Sequence, residues 1–99
     1  MAEAPPTWAV AYDVVDDKRR TRLSKFLEGR GIRVQYSVFE VVATAEQMRA
    51  LLVEAMRPRR FDPAEDSLRA YCLCEGCRRA TMVAGRAAAV VCGDAPVVL

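Results

Sequence analysis

Asp13 closes the run Trp8-Ala9-Val10-Ala11-Tyr12-Asp13, and shortly after it comes the charged stretch Asp16-Asp17-Lys18-Arg19-Arg20. Carboxylates beside guanidinium groups are what phosphodiester chemistry uses: oxygen ligands for a hard divalent cation, and planar donors that pair two-pronged with phosphate. Further along, Val34-Gln35-Tyr36-Ser37-Val38-Phe39-Glu40 adds an aromatic-lined strand. Mg²⁺ is usually held by one or two carboxylates, with waters and substrate oxygens at roughly 2.1 Å, so Asp13 alone makes half a site. A two-fold dimer with Asp13 near its axis would supply the second carboxylate from the other chain. The plain alternative is a carboxylate that caps the turn into the next helix, and that description suits Asp16 and Asp17 better still.

Histidine is absent, which removes the commonest general base, the Ser-His and Cys-His nucleophile pairs and the His-based zinc sites. Hydrolytic chemistry in this chain has to use carboxylates and a metal. Net charge is only +2, yet of the 15 basic residues all but Lys18 and Lys25 are arginine. They gather in groups: Arg19, Arg20 and Arg22; Arg30 and Arg33; Arg57, Arg59 and Arg60; Arg78, Arg79 and Arg86. One such group is ordinarily a solvated face, whereas several in a short chain favour a polyanionic partner. Cys72, Cys74, Cys77 and Cys92 could furnish a four-thiolate zinc site, but they lack paired C-x2-C knuckles, so reduced cysteines in a strand and a turn are the default.

These residues need elements to hold them. Trp8, Val10 and Tyr12 alternate with Ala9, Ala11 and Asp13, as the two faces of a first strand would. Asp16 or Asp17 then caps a helix with Leu23, Phe26 and Leu27 as its buried stripe, ending near Gly29 and Gly31. Residues 32–43 are rich in valine and aromatics but too long for one strand, so two strands meeting at a bend near Tyr36 to Val38 are expected. Thr44 and Gln47 fit a capping box for a second helix with Met48, Leu51, Leu52, Ala55 and Met56 inside, stopped by Pro58. A polar loop leads to a strand over Ser67–Leu73, then a turn or short helix from Glu75 to Arg79, then a strand near Thr81–Gly85. The rings of Tyr36, Phe39 and Tyr71 suit core or subunit packing better than base stacking.

A chain of 99 residues supports a single domain, and one so small is often stabilised by a second subunit. The strand-helix-strand-strand-helix-strand order predicts an α+β, ferredoxin-like sandwich with its core over about 8–85 and an apolar tail or extra C-terminal strand over 86–99. Ala9 and Ala11 leave the free sheet face small enough for another subunit to approach. No apolar run approaches the ~18 to 20 residues that span a bilayer, and the first residues lack a secretory layout, so a cytoplasmic protein without a membrane partner is expected.

Taken in order and spacing, Tyr12-Asp13, Asp16-Asp17-Lys18-Arg19-Arg20, Arg33 through Glu40, Asp66-Ser67-Leu68-Arg69 and Leu73-Cys74-Glu75-Gly76-Cys77-Arg78 resemble the small CRISPR-associated protein family that accompanies the integrase in spacer acquisition. The resemblance spans roughly residues 8–85, and Gln-Tyr-Ser-Val-Phe-Glu is its most distinctive part. It implies a ferredoxin-like homodimer whose C-terminal strand commonly crosses to the other protomer. It also implies one of two functions. Some members are Mg²⁺-dependent endonucleases acting on single-stranded RNA or double-stranded DNA; others are non-catalytic bridges that join integrase dimers and bind duplex DNA. The family's metal aspartate falls on Asp13, with Mg²⁺ (or Mn²⁺) as the ion. Residues implicated in substrate contact or activity fall on Tyr12, Arg20, Arg22, Arg33 and Phe39. The chain departs from the family where Val41-Val42 follows Glu40, a place often held by glycine, and in a tail unusually rich in alanine and valine.

Overall fold

Alternation along the first strand sets the whole arrangement. In the computed structural model, which describes residues 4–83 and 97–98, β1 (Thr7–Asp13) lies between two neighbours and sends Val10 and Tyr12 into the core. After it come α1 (Asp17–Glu28), β2 (Ile32–Gln35), β3 (Val38–Val42), α2 (Ala45–Ala55) and β4 (Ser67–Leu73). The strand order is β2-β3-β1-β4, every pair antiparallel. This is the expected ferredoxin-like sheet. Short α3 (Glu75–Arg79) leads to β5 (Met82–Val83), which pairs in parallel with β6 (Val97–Val98), so the extra C-terminal strand is present. The rest of the expected strand near Thr81–Gly85, beyond Val83, and the remainder of the apolar tail lie outside the described residues.

Both helices cover one sheet face. Leu23 and Leu27 of α1 and Met48, Leu51 and Ala55 of α2 meet Val10, Tyr12, Phe39 and Val41 in one buried cluster. Asp16 caps α1 by accepting from the Arg19 N–H at 2.9 Å, while Thr44 and Gln47 make the reciprocal capping box of α2 at 3.1 and 2.8 Å. The Trp8 indole N–H donates to the Ala43 carbonyl at 2.7 Å, tying β1 to the end of β3. Gly31 permits a close approach: a Cβ there would stand 2.3 Å from the Glu40 carbonyl oxygen.

Two positions depart from the periodic reading. Met56 follows the last residue of α2 and is largely exposed, because the helix stops at Ala55, short of Pro58. Phe26 is only half-buried, with the guanidinium carbons of Arg30 and Arg60 at 4.2 and 4.4 Å from its ring centre.

On the sheet face opposite the helices the register aligns Ile32, Glu40, Ala9 and Tyr71 in one row across all four strands, and Val38, Ala11 and Arg69 in the next. Ile32, Val42 and Tyr71 are exposed there. The two alanines at the centre leave this face low enough for another sheet to approach it. No helix among the described residues is long and apolar enough to cross a membrane.

Candidate nucleic-acid site

Asp13 is the last paired residue of β1, opposite Ser67 of β4, on the face away from the helices with Ala9 and Ala11. Its carboxylate is exposed and makes no hydrogen bond or ion pair among the described residues. A hard oxygen donor so placed suits one ligand position of a divalent cation, but it needs companions: among the described residues no three His, Cys, Asp or Glu side chains gather into a metal-sized group.

On the helix side of the same strand end, three of the residues singled out by the resemblance come together. Tyr12, Arg20 and Arg33 line a groove of about 270 Å³ with Ser24, Lys25 and Tyr36. Each is held by the fold. The Tyr12 ring is buried and stacked on Phe39 at 6.3 Å, its backbone N–H donates to the Ser37 carbonyl at 3.1 Å, and its hydroxyl faces the Tyr36 carbonyl at 3.4 Å. Arg20 Nη1 donates to the Val14 carbonyl at 2.9 Å, one residue past Asp13, while Nη2 pairs with Asp17. Arg33 rests over the Phe39 ring at 5.2 Å and donates to Ser24 Oγ and, at 3.4 Å, to Glu28.

The other two stand apart. Phe39 is wholly buried, so its place is beneath the groove, where it supports Tyr12 and Arg33 and offers no surface of its own. Arg22 is exposed and turns away from the groove to donate to the Arg59 carbonyl at 3.3 Å. Of the other rings, Phe39 is in the core as expected, while Tyr36 sits in the β2–β3 turn and is strongly exposed.

Sequence reasoning missed the support behind this strand end. The Asp66 carboxylate accepts from the Val15 N–H at 2.9 Å, the Asp62 N–H at 2.8 Å and Arg19 Nε at 3.0 Å, so it fixes the chain between β1 and α1. Burial pushes the Asp66 carboxyl up, but Arg19 and the two backbone donors outweigh that and hold it below the usual carboxylate range. Nothing in local spacing marks this pairing, since its members lie 47 residues apart.

Cys74 and Cys77 approach to 3.1 Å between sulfurs and are exposed; their shared hydrogen bond lowers the Cys74 thiol and raises that of Cys77. Cys92 lies outside the described residues.

An antiparallel ferredoxin-like sheet, with an exposed carboxylate at the end of a central strand and a groove lined by two arginines behind it, defines a small α+β protein. Residues 7–81 match the family described as CRISPR associated protein Cas2, and the chain belongs to that family. It is 41% identical over 76 residues to the CRISPR-associated endoribonuclease Cas2 3 of Chloroflexus aurantiacus, covering 77% of this chain and 80% of that one. Over 64 residues it is 50% identical to the CRISPR-associated endoribonuclease Cas2 2 of a Synechocystis species, covering 65% and 68%. Among solved structures, Cas2 of Streptococcus pyogenes superposes with a TM-score of 0.63 at 29% identity, over 74% of this chain and 92% of that one. A hypothetical protein from Thermus thermophilus superposes with the same TM-score at 35% identity, over 92% and 96%.

Proposed function

We propose that this chain is a metal-dependent endonuclease of the CRISPR spacer-acquisition machinery, hydrolysing phosphodiester bonds in RNA or double-stranded DNA. The observation that carries this reading is the position of Asp13: an exposed carboxylate at the end of a central strand, with no side-chain partner among the described residues, beside the groove lined by Tyr12, Arg20 and Arg33. Relatives named endoribonucleases support it.

The active unit in this reading is a homodimer. A second copy covers the face that exposes Ile32, Val42 and Tyr71, and the symmetry brings two Asp13 carboxylates together. Bound there, Mg²⁺ or Mn²⁺ supplies Lewis acidity and an acidified water. The chain's own groups do the positioning. Arg20, anchored on the Val14 carbonyl, and Arg33, seated on Phe39, present guanidinium N–H donors to backbone phosphates, where they offset the charge that develops as the bond breaks. Tyr12 supports Arg33 from below through its stacking on Phe39.

Chelation tests the reading: EDTA should abolish cleavage of single-stranded RNA and duplex DNA, and added Mg²⁺ or Mn²⁺ should restore it. Cleavage that persists in EDTA contradicts it.

One observation favours a second reading. A single protomer shows no group of three metal donors among the described residues, while the groove lined by Arg20 and Arg33 is built from the chain's own side chains. In that reading the chain is a non-catalytic dimeric adaptor that bridges integrase dimers and carries duplex DNA. Spacer acquisition that survives Asp13→Ala would select the adaptor.

A further inference from the structure

A second cationic groove lies along α1, away from Asp13. It encloses about 630 Å³, and Arg22, Lys25, Arg57, Arg59 and Arg60 line it around Phe26. Among the described residues no carboxylate lines it. Arg30 adds a further positive charge over the Phe26 ring. Glu54 grips Arg57 two-pronged at 2.9 and 3.0 Å and answers that one charge. Arg22 and Arg60 spend donors on backbone carbonyls, of Arg59 and Glu54, which fix their heads without neutralising them. Arg59 and Lys25 have no ion-pair partner among the described residues.

Like charges held this close repel one another, and the cluster gains most from a ligand whose negative charges are themselves spaced along a line. Two guanidinium groups already stack over Phe26, so the ring presents charge and no bare surface for a base. Lys25 lines both this groove and the one holding Tyr12, Arg20 and Arg33, which makes the two neighbours on α1.

We infer that this groove is a second nucleic-acid contact, a sequence-independent seat for duplex DNA backbone phosphates that continues the track from the Arg20–Arg33 groove across the helical layer. The inference rests on the proposed function only in taking nucleic acid as the ligand; it needs neither Asp13 nor a metal. It gives the Arg57–Arg60 turn a role in grip and none in bond cleavage.

The test is duplex DNA affinity against salt, measured in EDTA so that nothing is cut, with folding of each variant checked by thermal unfolding. Each lost phosphate contact lowers the log-log slope by about 0.9. The variant Arg57→Gln/Arg59→Gln should therefore reduce the slope by about 1.8, while Arg49→Gln, on α2 and outside the groove, should leave it unchanged. Glu54→Gln, which frees Arg57, should tighten binding. An unchanged slope in the double variant overturns the inference, as does an equal loss in Arg49→Gln, which would mean diffuse attraction. Absence of duplex binding by the wild-type protein overturns it too. Each of these results leaves metal-dependent cleavage of RNA standing, so the two readings fail separately.

Discussion

Arg19 and Asp66 form the joint that sets the end of β1: Nε and Nη2 of Arg19 reach the two Asp66 oxygens at 3.0 and 3.3 Å, and the Asp66 side chain has no exposed surface. The same carboxylate holds the Val15 N–H, two residues beyond Asp13. The candidate site thus depends on a residue that belongs to neither the exposed carboxylate nor the groove.

Replacing Asp66 with alanine leaves the Val15 and Asp62 N–H groups without their acceptor. These hydrogen bonds are part-buried and each contributes about 1 kcal/mol net, so a loss of about 2 kcal/mol is expected. For a domain of this size that lowers Tm by roughly 8 to 16 °C, which calorimetry or circular dichroism reads directly. An unchanged Tm would remove Asp66 as the joint.

Acid should undo the same joint. The folded-state Asp66 carboxyl is held below its ordinary value near 3.9, so the unfolded chain binds this proton first as pH falls. Its stabilising contribution is complete above about pH 5, shrinks as pH drops past the ordinary carboxylate value, and is gone once pH passes the depressed folded value. Asp16, lowered by the Arg19 N–H, and Glu54, lowered by Arg57, add in the same direction. Urea midpoints between pH 6 and 3 should fall less steeply in Asp66→Asn than in wild type; identical curves would contradict the assignment.

Gly31→Ala tests how the groove is built. The added Cβ meets the Glu40 carbonyl, a backbone atom that cannot swing aside, so β2 has to move from β3 and take Arg33 with it. Strain of about 1 to 3 kcal/mol is expected, with a weaker hold on nucleic acid. Chemical denaturation and a binding titration on the same preparation check both halves.

Arg33→Gln keeps the backbone and removes one guanidinium from the groove. Its effect should fall on binding: the salt slope drops by about 0.9 on duplex DNA, or about 0.7 on a single strand, while Tm changes little. A large loss of stability with an unchanged slope would make Arg33 a structural residue.

Much of this fold could be read from local patterns, because the patterns coincide with physical causes that act locally. Asp16 and the Thr44–Gln47 box sit where helix N–H groups need acceptors, and the alternation of Trp8 to Asp13 is the two-faced strand itself. Long-range facts were hidden. Spacing alone counted Phe26 as core, yet packing left it half-buried for Arg30 and Arg60 to cover, and the members of the Arg19–Asp66 pair lie 47 residues apart. The site divides the same way. Asp13 stands out as a strand-end carboxylate, whereas Tyr12, Arg20 and Arg33 share a groove only because α1 packs beside β2, and family resemblance rather than spacing pointed to them.

The most direct test of the central claim is cleavage of single-stranded RNA and duplex DNA by wild type and Asp13→Ala, purified identically and assayed with Mg²⁺ or Mn²⁺. Asp13 is exposed and unpaired among the described residues, so the variant should keep the fold and its nucleic-acid affinity. The account predicts cleavage by wild type and none by Asp13→Ala. Equal cleavage by the two proteins would contradict it.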